Sequence, residues 1–531
     1  MSVKPVLIGG AWRPSANSSS VFRALNPATG ESLADEYPVS GIDDVEAACR
    51  AGREAAITLR DMPDRVERLA AFLDDYAARI EGAADALVAM AHSETAYPVA
   101  PRLKSVELPR TTNQLRQAAA AVRDRSWTMA TIDTAVGIRS YYAPLGGPVV
   151  VFGPNNFPFA FNSVAGGDFV AAVAAGNPVI GKANTSHPGT SLLLAELAHA
   201  AAAENGLPPG MVQLIYRTPS DVGFALVSHP LVAATGFTGS KTAGLALKAA
   251  AEKAGKPIYL EMSSVNPVFV LPGALAERAA GLAKELFDSC ALGSGQFCTR
   301  PGITVVPSGD ASDAFVDEAV RLFGQAAPGT LLGRSGLSSV AAGVEELRKH
   351  GAEVLVGGSK VEGARISYAN TLLRVSGDAF IASPHGLQTE AFATVNTVVV
   401  ARDVDQMAEI ASSFDGNLTG SIYSAADGSD DAVYSSVAPV LRERVGRLLN
   451  DKMPTGVAVS AAMNHGGPFP ATGHPGFTAV GIPASLFRFA ALQSFDNVRS
   501  HRLPAELGDL NPTGTMWRRI DGQWSHADVK R

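Results

Sequence analysis

The stretch GSGQFCTRPG, residues 293–302, sets Cys298 in a loop with glycines before it and an Arg-Pro break after it. A thiol held in an open loop is suited to nucleophilic attack, because the thiolate is the reactive form and a substrate can reach it. For any single cysteine the alternative is a small buried apolar side chain. Cys290, on an amphipathic helical stretch, fits that alternative better. The chain has 531 residues and only three cysteines, Cys49, Cys290 and Cys298. They are too few and too scattered for a disulfide framework. No Cys/His cluster has metal-ligand spacing, so no metal is expected.

A nucleophile needs rigid elements to hold it, and from residue 148 the sequence supplies them in regular order. The strands PVVVF, NPVIGKA, MVQLIY, LVAATGF and PIYLEM alternate with helical stretches such as HPGTSLLLAELAHAAAAENG and SKTAGLALKAAAEKAG. Continuous β-branched strands alternating with helices predict a parallel sheet covered on both faces, a doubly wound α/β domain. In such sheets ligands bind beyond the carboxyl ends of the strands. Five strand ends carry informative residues: Asn156 after the first, Lys182 and Thr185 after the second, Arg217 after the third, Gly239 and Ser240 after the fourth, and Glu261 closing the fifth. A cleft fed by these ends is a cofactor site by geometry.

Taken singly, each residue has a plainer reading. Asn156 caps a turn, Glu261 is a solvated or paired carboxylate, and Lys182 and Arg217 are surface charges. Gly236, Gly239 and Gly244 do not follow the G-x-G-x-x-G spacing. A helix opening at Ser240 nevertheless offers free N–H groups and a positive dipole end to a phosphate.

The length is too great for one compact core, so two or three domains are expected. Residues 1–40 read as short extended pieces, and residues 43–95 as helical, with Asp44 and Asp64 near helix starts. GIRSYYAPLG reads as a strand outside the main sheet. A second α/β region begins near residue 263 and includes EVLVGG, TVNTVVVARDVDQMAEIASSF and LTGSIYSA. A Gly/Pro-rich stretch, NHGGPFPATGHPGF, precedes a mixed tail. The net charge is −7 and the pI near 5.8. With no long basic stripe, nucleic acid is not an expected partner. The start, MSVKPVLIGGAW, lacks the apolar core of a signal peptide, and PVVVFG and TVVVA are too short to span a bilayer. A reducing cytoplasmic setting with no membrane partner follows.

Together, GQFCT, YLEMSS, NNFP, FTGS, TEAF and NPATGE resemble the aldehyde dehydrogenase superfamily, in the family's order and over nearly the whole chain. AGGDFVAAVAAGNPVIGKANTSHPGTS, MSSVNPVF and NHGGPFPAT are similar to the branch of α-ketoglutarate semialdehyde dehydrogenases and NADP-dependent fatty aldehyde dehydrogenases. The resemblance implies a Rossmann-type cofactor domain (1–125 and 147–262), an α/β catalytic domain (263–484) and an oligomerisation strand and tail (126–146 and 485–531). It implies a homodimer or homotetramer.

The resemblance also implies the roles. Cys298 is the nucleophile, Asn156 and the Cys298 N–H bind the oxyanion, and Glu261 activates the hydrolytic water. Glu390 holds the nicotinamide ribose, and glycine beside the sulfur lets substrate and nicotinamide approach. The implied reaction oxidises an aldehyde to a carboxylate, with α-ketoglutarate semialdehyde favoured over fatty aldehydes and over CoA acylation, which needs no base such as Glu261. Neutral Thr185 stands where NAD-selective members commonly carry glutamate, so NADP is expected, paired with Lys182 and Arg217, with NAD as a second cofactor. Asn155 replaces a common tryptophan, Ser263-Ser264 a Gly-Gly pair, and EAFAT the commoner E-x-F-G-P. Arg300, two residues past the nucleophile, is either a partner for a substrate carboxylate or a side chain that points away and pairs with a structural acid. Phe159, with Phe157 and Phe161, is a candidate tunnel lining, although alternating aromatics more often belong to the core.

Overall fold

Three sheets of five or more strands, and a two-stranded one, organise the chain in this computed structural model, which describes residues 3–17 and 20–530. The outermost residues of both termini, part of the first and last assigned segments, lie outside that range. The first sheet has seven strands in the order Ile258–Glu261, Ala234–Thr238, Val149–Phe152, Val179–Lys182, Val212–Ile215, Val6–Ile8 and Ala11–Arg13. The five strands read from the sequence are parallel, and the two N-terminal ones add on antiparallel. Val149–Phe152 and Val212–Ile215 are buried along their whole length, as a sheet covered by helices requires.

The chain runs outward from Val149–Phe152 to Val212–Ile215. It then crosses back to place Ala234–Thr238 on the other side of the starting strand. Strand order therefore reverses at Val149–Phe152, the place where open α/β sheets form a crevice. Register keeps the carboxyl ends level: Phe152 pairs with Lys182, Lys182 with Ile215, and Thr238 with Glu261. Residues predicted to share a cleft are thus brought to one edge by strand pairing.

The second sheet orders Glu353–Val356, Thr371–Ser376, Val395–Ala401, Ile303–Pro307, Val268–Val270, Asn417–Tyr423 and Val445–Asn450. All its pairings are parallel except that of Glu353–Val356. Cys290 is fully buried there, on helix Pro272–Ala291. The third sheet has five strands and contains Ile138–Pro144, the strand expected to stand apart, beside Ala490–Asp496 of the tail. Among the described residues no helix is long and apolar enough to cross a membrane.

The turn Ala484–Phe489 packs Leu486 and Phe489 into the core beneath the first sheet. Its Arg488 reaches Asp168, on helix Gly167–Ala174, at 2.6 Å. The arginine side chain is 1% exposed and the aspartate 8%. Phe477 and Phe489 flank the guanidinium. This pair ties the segment carrying the third sheet to the helix covering the first. Removing one partner of a buried pair strands the other charge, so Arg488→Met should cost about 3–5 kcal/mol. The check is a lower thermal unfolding midpoint, with a smaller drop for the paired change Arg488→Met with Asp168→Leu.

Candidate active site

Cys298 lies in the second sheet's territory, in the loop between Leu292–Gly295 and strand Ile303–Pro307. Three consecutive residues before it, Gly293, Ser294 and Gly295, have positive φ of 56°, 59° and 73°. A Cβ on Gly295 would lie 2.0 Å from the carbonyl carbon of Ala393. The glycines therefore serve a left-handed turn and a close backbone approach, whereas the sequence reading assigned them to making room for ligands.

The loop is clamped at several points. Asn266 donates through Nδ2 to the carbonyls of Cys298 at 2.8 Å and Arg300 at 2.9 Å. Gln296 accepts from Leu332 N at 3.0 Å, and its carbonyl accepts from the Asn156 amide at 2.8 Å. Asn156, 4% exposed, is thereby held against the cysteine loop as expected for a neighbour of the sulfur. Asn266 was legible only as part of the branch motif MSSVNPVF, and its clamping role was missed.

Glu261 closes its strand 1% exposed. The segment 465–478 runs past that strand end, bonding Met262 N to Ala471 O at 2.7 Å and Gly473 N to Leu260 O at 3.0 Å. This brings His465 between the two reactive groups. Its Nε2 is 3.0 Å from Glu261 Oε1 and 3.4 Å from Cys298 Sγ. The sulfur, nitrogen and oxygen lie within 4.8 Å of one another. Sequence reasoning noted NHGGPFPAT as a branch marker and did not select its histidine. The signal was a histidine in a Gly/Pro-rich loop, but nothing in the spacing pointed to Cys298. For the same reason the spacing rule for metal ligands found no cluster, although these three donors now converge.

The sulfur opens on a cavity of about 650 Å³ lined by Arg102, Arg110, Phe157, Phe161, Phe297 and Val457 among others. Phe157 and Phe161 line it, whereas Phe159 does not. Phe159 is fully buried in the first core, and its N–H donates to Glu107 Oε1 at 2.9 Å. The turn through Pro158 sends alternate rings to opposite sides.

Arg300 also departs from expectation. It is 2% exposed and donates to the carbonyls of Pro301 at 3.0 Å, Ala391 at 3.1 Å and Val395. Its donors are used in tying the cysteine loop to residues 391–395, so it does not read a substrate. Glu390 accepts from Ser264 N at 3.4 Å, and burial raises its pKa while Arg300 opposes the rise.

On the first sheet's edge, Lys182 is pushed down to about 8, first by burial and then by nearby Arg217. Arg217 is exposed, and neither cation forms a salt bridge among the described residues. Ser240 caps helix Lys241–Lys253, accepting from Ala243 N at 3.4 Å. Gly239 sits where a Cβ would meet the Phe237 ring at 2.8 Å. Two cations lacking a partner carboxylate, set beside a capped helix N-terminus, suit an anionic dinucleotide.

A sequence profile described as the aldehyde dehydrogenase family matches residues 12–439. The chain belongs to the aldehyde dehydrogenase family. It is similar to α-ketoglutaric semialdehyde dehydrogenase 2 of Azospirillum brasilense, 39% identical over 94% of this chain and 95% of the relative. The α-ketoglutaric semialdehyde dehydrogenase of Acinetobacter baylyi is 36% identical over 92% of this chain and 94% of its own. Among solved structures, an aldehyde dehydrogenase of Bacillus cereus in complex with NAD⁺ aligns with a TM-score of 0.78 at 21% identity, covering 93% of this chain and 96% of that one. This aldehyde dehydrogenase is thus an oxidoreductase that converts an aldehyde to an acid with a nicotinamide cofactor.

Burial, and then the Glu261 carboxylate, hold the Cys298 thiol well above its ordinary value. A raised thiol pKa means less thiolate at neutral pH. Alkylation of Cys298 by iodoacetamide, without cofactor, should keep rising above about pH 9. Mass spectrometry of the labelled peptide against pH is the check, and a plateau below about pH 8 would contradict it.

Proposed function

We propose that this enzyme oxidises α-ketoglutaric semialdehyde to α-ketoglutarate, preferring NADP. The substrate rests on the α-ketoglutaric semialdehyde dehydrogenases of Azospirillum brasilense and Acinetobacter baylyi, similar over nearly the whole chain. The observation that carries the mechanism is the convergence of Cys298, His465 and Glu261 beside a cavity that Cys298 lines.

In this reading the Cys298 sulfur attacks the aldehyde carbon and its proton passes to Nε2 of His465, 3.4 Å away. The Glu261 carboxylate, 3.0 Å from the same nitrogen, stabilises the imidazolium. Asn156 spends one amide hydrogen on the Gln296 carbonyl and keeps the other for the oxyanion, alongside the Cys298 N–H. A nicotinamide bound at the first sheet's edge would supply the hydride acceptor, and loss of hydride from the thiohemiacetal would leave a thioester on Cys298. Glu261 then takes a proton from the water that hydrolyses the thioester. Its Oε2 is buried with no hydrogen-bond partner, so an acceptor is available for that water.

Lys182, Thr185 and Arg217 hold the 2′-phosphate in this proposal, Gly239 and Ser240 the pyrophosphate, and Glu390 the nicotinamide ribose. An anion beside Lys182 and Arg217 relieves the repulsion between them. The first sheet carries the cofactor, the second the catalytic loop, and the third associates subunits. Edge strand Ala490–Asp496, with Leu492 60% exposed, supports pairing with a second copy in a dimer or tetramer. A cytoplasmic setting fits three free cysteines. The apolar cavity wall favours one second reading, a dehydrogenase of aliphatic aldehydes.

With NADP, the pure protein should turn α-ketoglutaric semialdehyde over to give NADPH without CoA, and Cys298→Ala should abolish this. Glu261→Gln should retain a stoichiometric burst of NADPH followed by slow turnover, as measured by stopped flow. Equal burst and steady-state rates would place water activation elsewhere.

A carboxylate set against a 2′-phosphate costs affinity through like-charge repulsion. Thr185→Glu should therefore raise the KM for NADP at least about tenfold while changing that for NAD less. Initial rates with both cofactors decide the point, and equal kcat/KM for the two in the unmodified enzyme would remove the NADP preference.

A further inference from the structure

Buried and half-buried arginines surround the thiol, and in most of them the chain itself engages the terminal nitrogens. Arg102 pairs with Glu107 at 2.5 Å, donates to the Asn156 carbonyl at 3.1 Å, and lies over the rings of Tyr97, Phe157 and Phe297. Arg300 is taken up by backbone carbonyls. Arg447 donates to the carbonyls of Pro454 at 2.9 Å and Gly456 at 3.2 Å.

Arg110 differs. Its Nε has a long contact, 3.4 Å, to the Val457 carbonyl. Its two terminal nitrogens are buried with no hydrogen-bond partner. Glu107, the nearest acid by its influence, is already engaged by Arg102 and by the N–H groups of Phe159 and Ala160. Phe161 faces the guanidinium at 5.1 Å, which offsets part of this. Desolvation and missing partners both oppose a cation here, and the side chain lines the cavity that holds Cys298. A bidentate carboxylate would offset both penalties together.

We infer that Arg110 is the substrate-binding residue that reads the carboxylate of a semialdehyde acid whose aldehyde end lies at Cys298. This deepens the proposed function and rests on it, and it moves to Arg110 the role the sequence suggested for Arg300. The apolar remainder of the cavity then packs the carbon chain between the two ends.

The test compares full-length enzyme with Arg110→Met and Arg110→Lys, using NADP and two aldehydes of equal length, α-ketoglutaric semialdehyde and pentanal. Arg110→Met should lower the ratio of kcat/KM for the acid to that for pentanal by about ten- to a hundredfold, the range of a charged hydrogen bond. The loss should fall mainly on KM, and Arg110→Lys should recover part of it. A ratio unchanged from the parent overturns the inference.

Glutarate gives a reading that does not depend on the variants folding. It should slow iodoacetamide labelling of Cys298 in the unmodified enzyme, whereas pentanamide should not. Equal or absent protection also overturns the inference. A parent enzyme that oxidises pentanal but not the acid refutes the proposed substrate. One that prefers the acid while Arg110→Met keeps that preference refutes only the role of Arg110.

Discussion

His465 Nε2 stands 3.4 Å from the Cys298 sulfur and 3.0 Å from a Glu261 oxygen, so one nitrogen serves both a thiol and a carboxylate. A single ring nitrogen offers either a proton or a lone pair, never both. The contacts are therefore alternatives in proton position, and their distances must hold together for either to be useful. Each partner arrives from a different place: the end of a strand in the first sheet, a loop entering the second, and a long segment laid across the first strand's end. The geometry of the site is set by how those three segments are fixed to one another.

Backbone carbonyls and amides do most of that fixing. Asn266 holds the carbonyls on either side of Thr299, Arg300 binds residues 391–395 to the same loop, and Gln296 spans from Gly293 to Leu332. A loop with three left-handed residues in succession would otherwise have many conformations, and each hydrogen bond removes some of them. Burial adds to the effect, because an unsatisfied donor in a dry environment is costly and an alternative loop position would leave several. The Arg488–Asp168 pair extends the same logic from loop to tail.

The electrostatic balance is a consequence of this packing. Burial, and then the Glu261 carboxylate, raise the Cys298 thiol pKa, so a base within reach of the sulfur helps to take its proton. Positive charge around the cavity is largely absorbed by carbonyls, which leaves Arg110 as a conspicuous local excess. On the first sheet's edge, burial and then Arg217 lower the Lys182 pKa.

The sequence by itself determined the doubly wound sheet, the strand ends that face a common edge, and Cys298 as the thiol of interest. These are local matters: β-branched runs, helical periodicity and a glycine-rich turn act over a few residues. It also determined the family, through motifs that are short and contiguous. Tertiary structure alone decided which side chains point into the cavity. Phe159 and Arg300 sit beside residues that face it, yet one is core and the other a backbone clamp, since a turn or a single rotamer reverses direction. Tertiary structure alone also joined His465 to Glu261 across 204 positions. No periodicity reaches that far, because contacts between distant segments come from the docking of whole elements and not from local backbone preference.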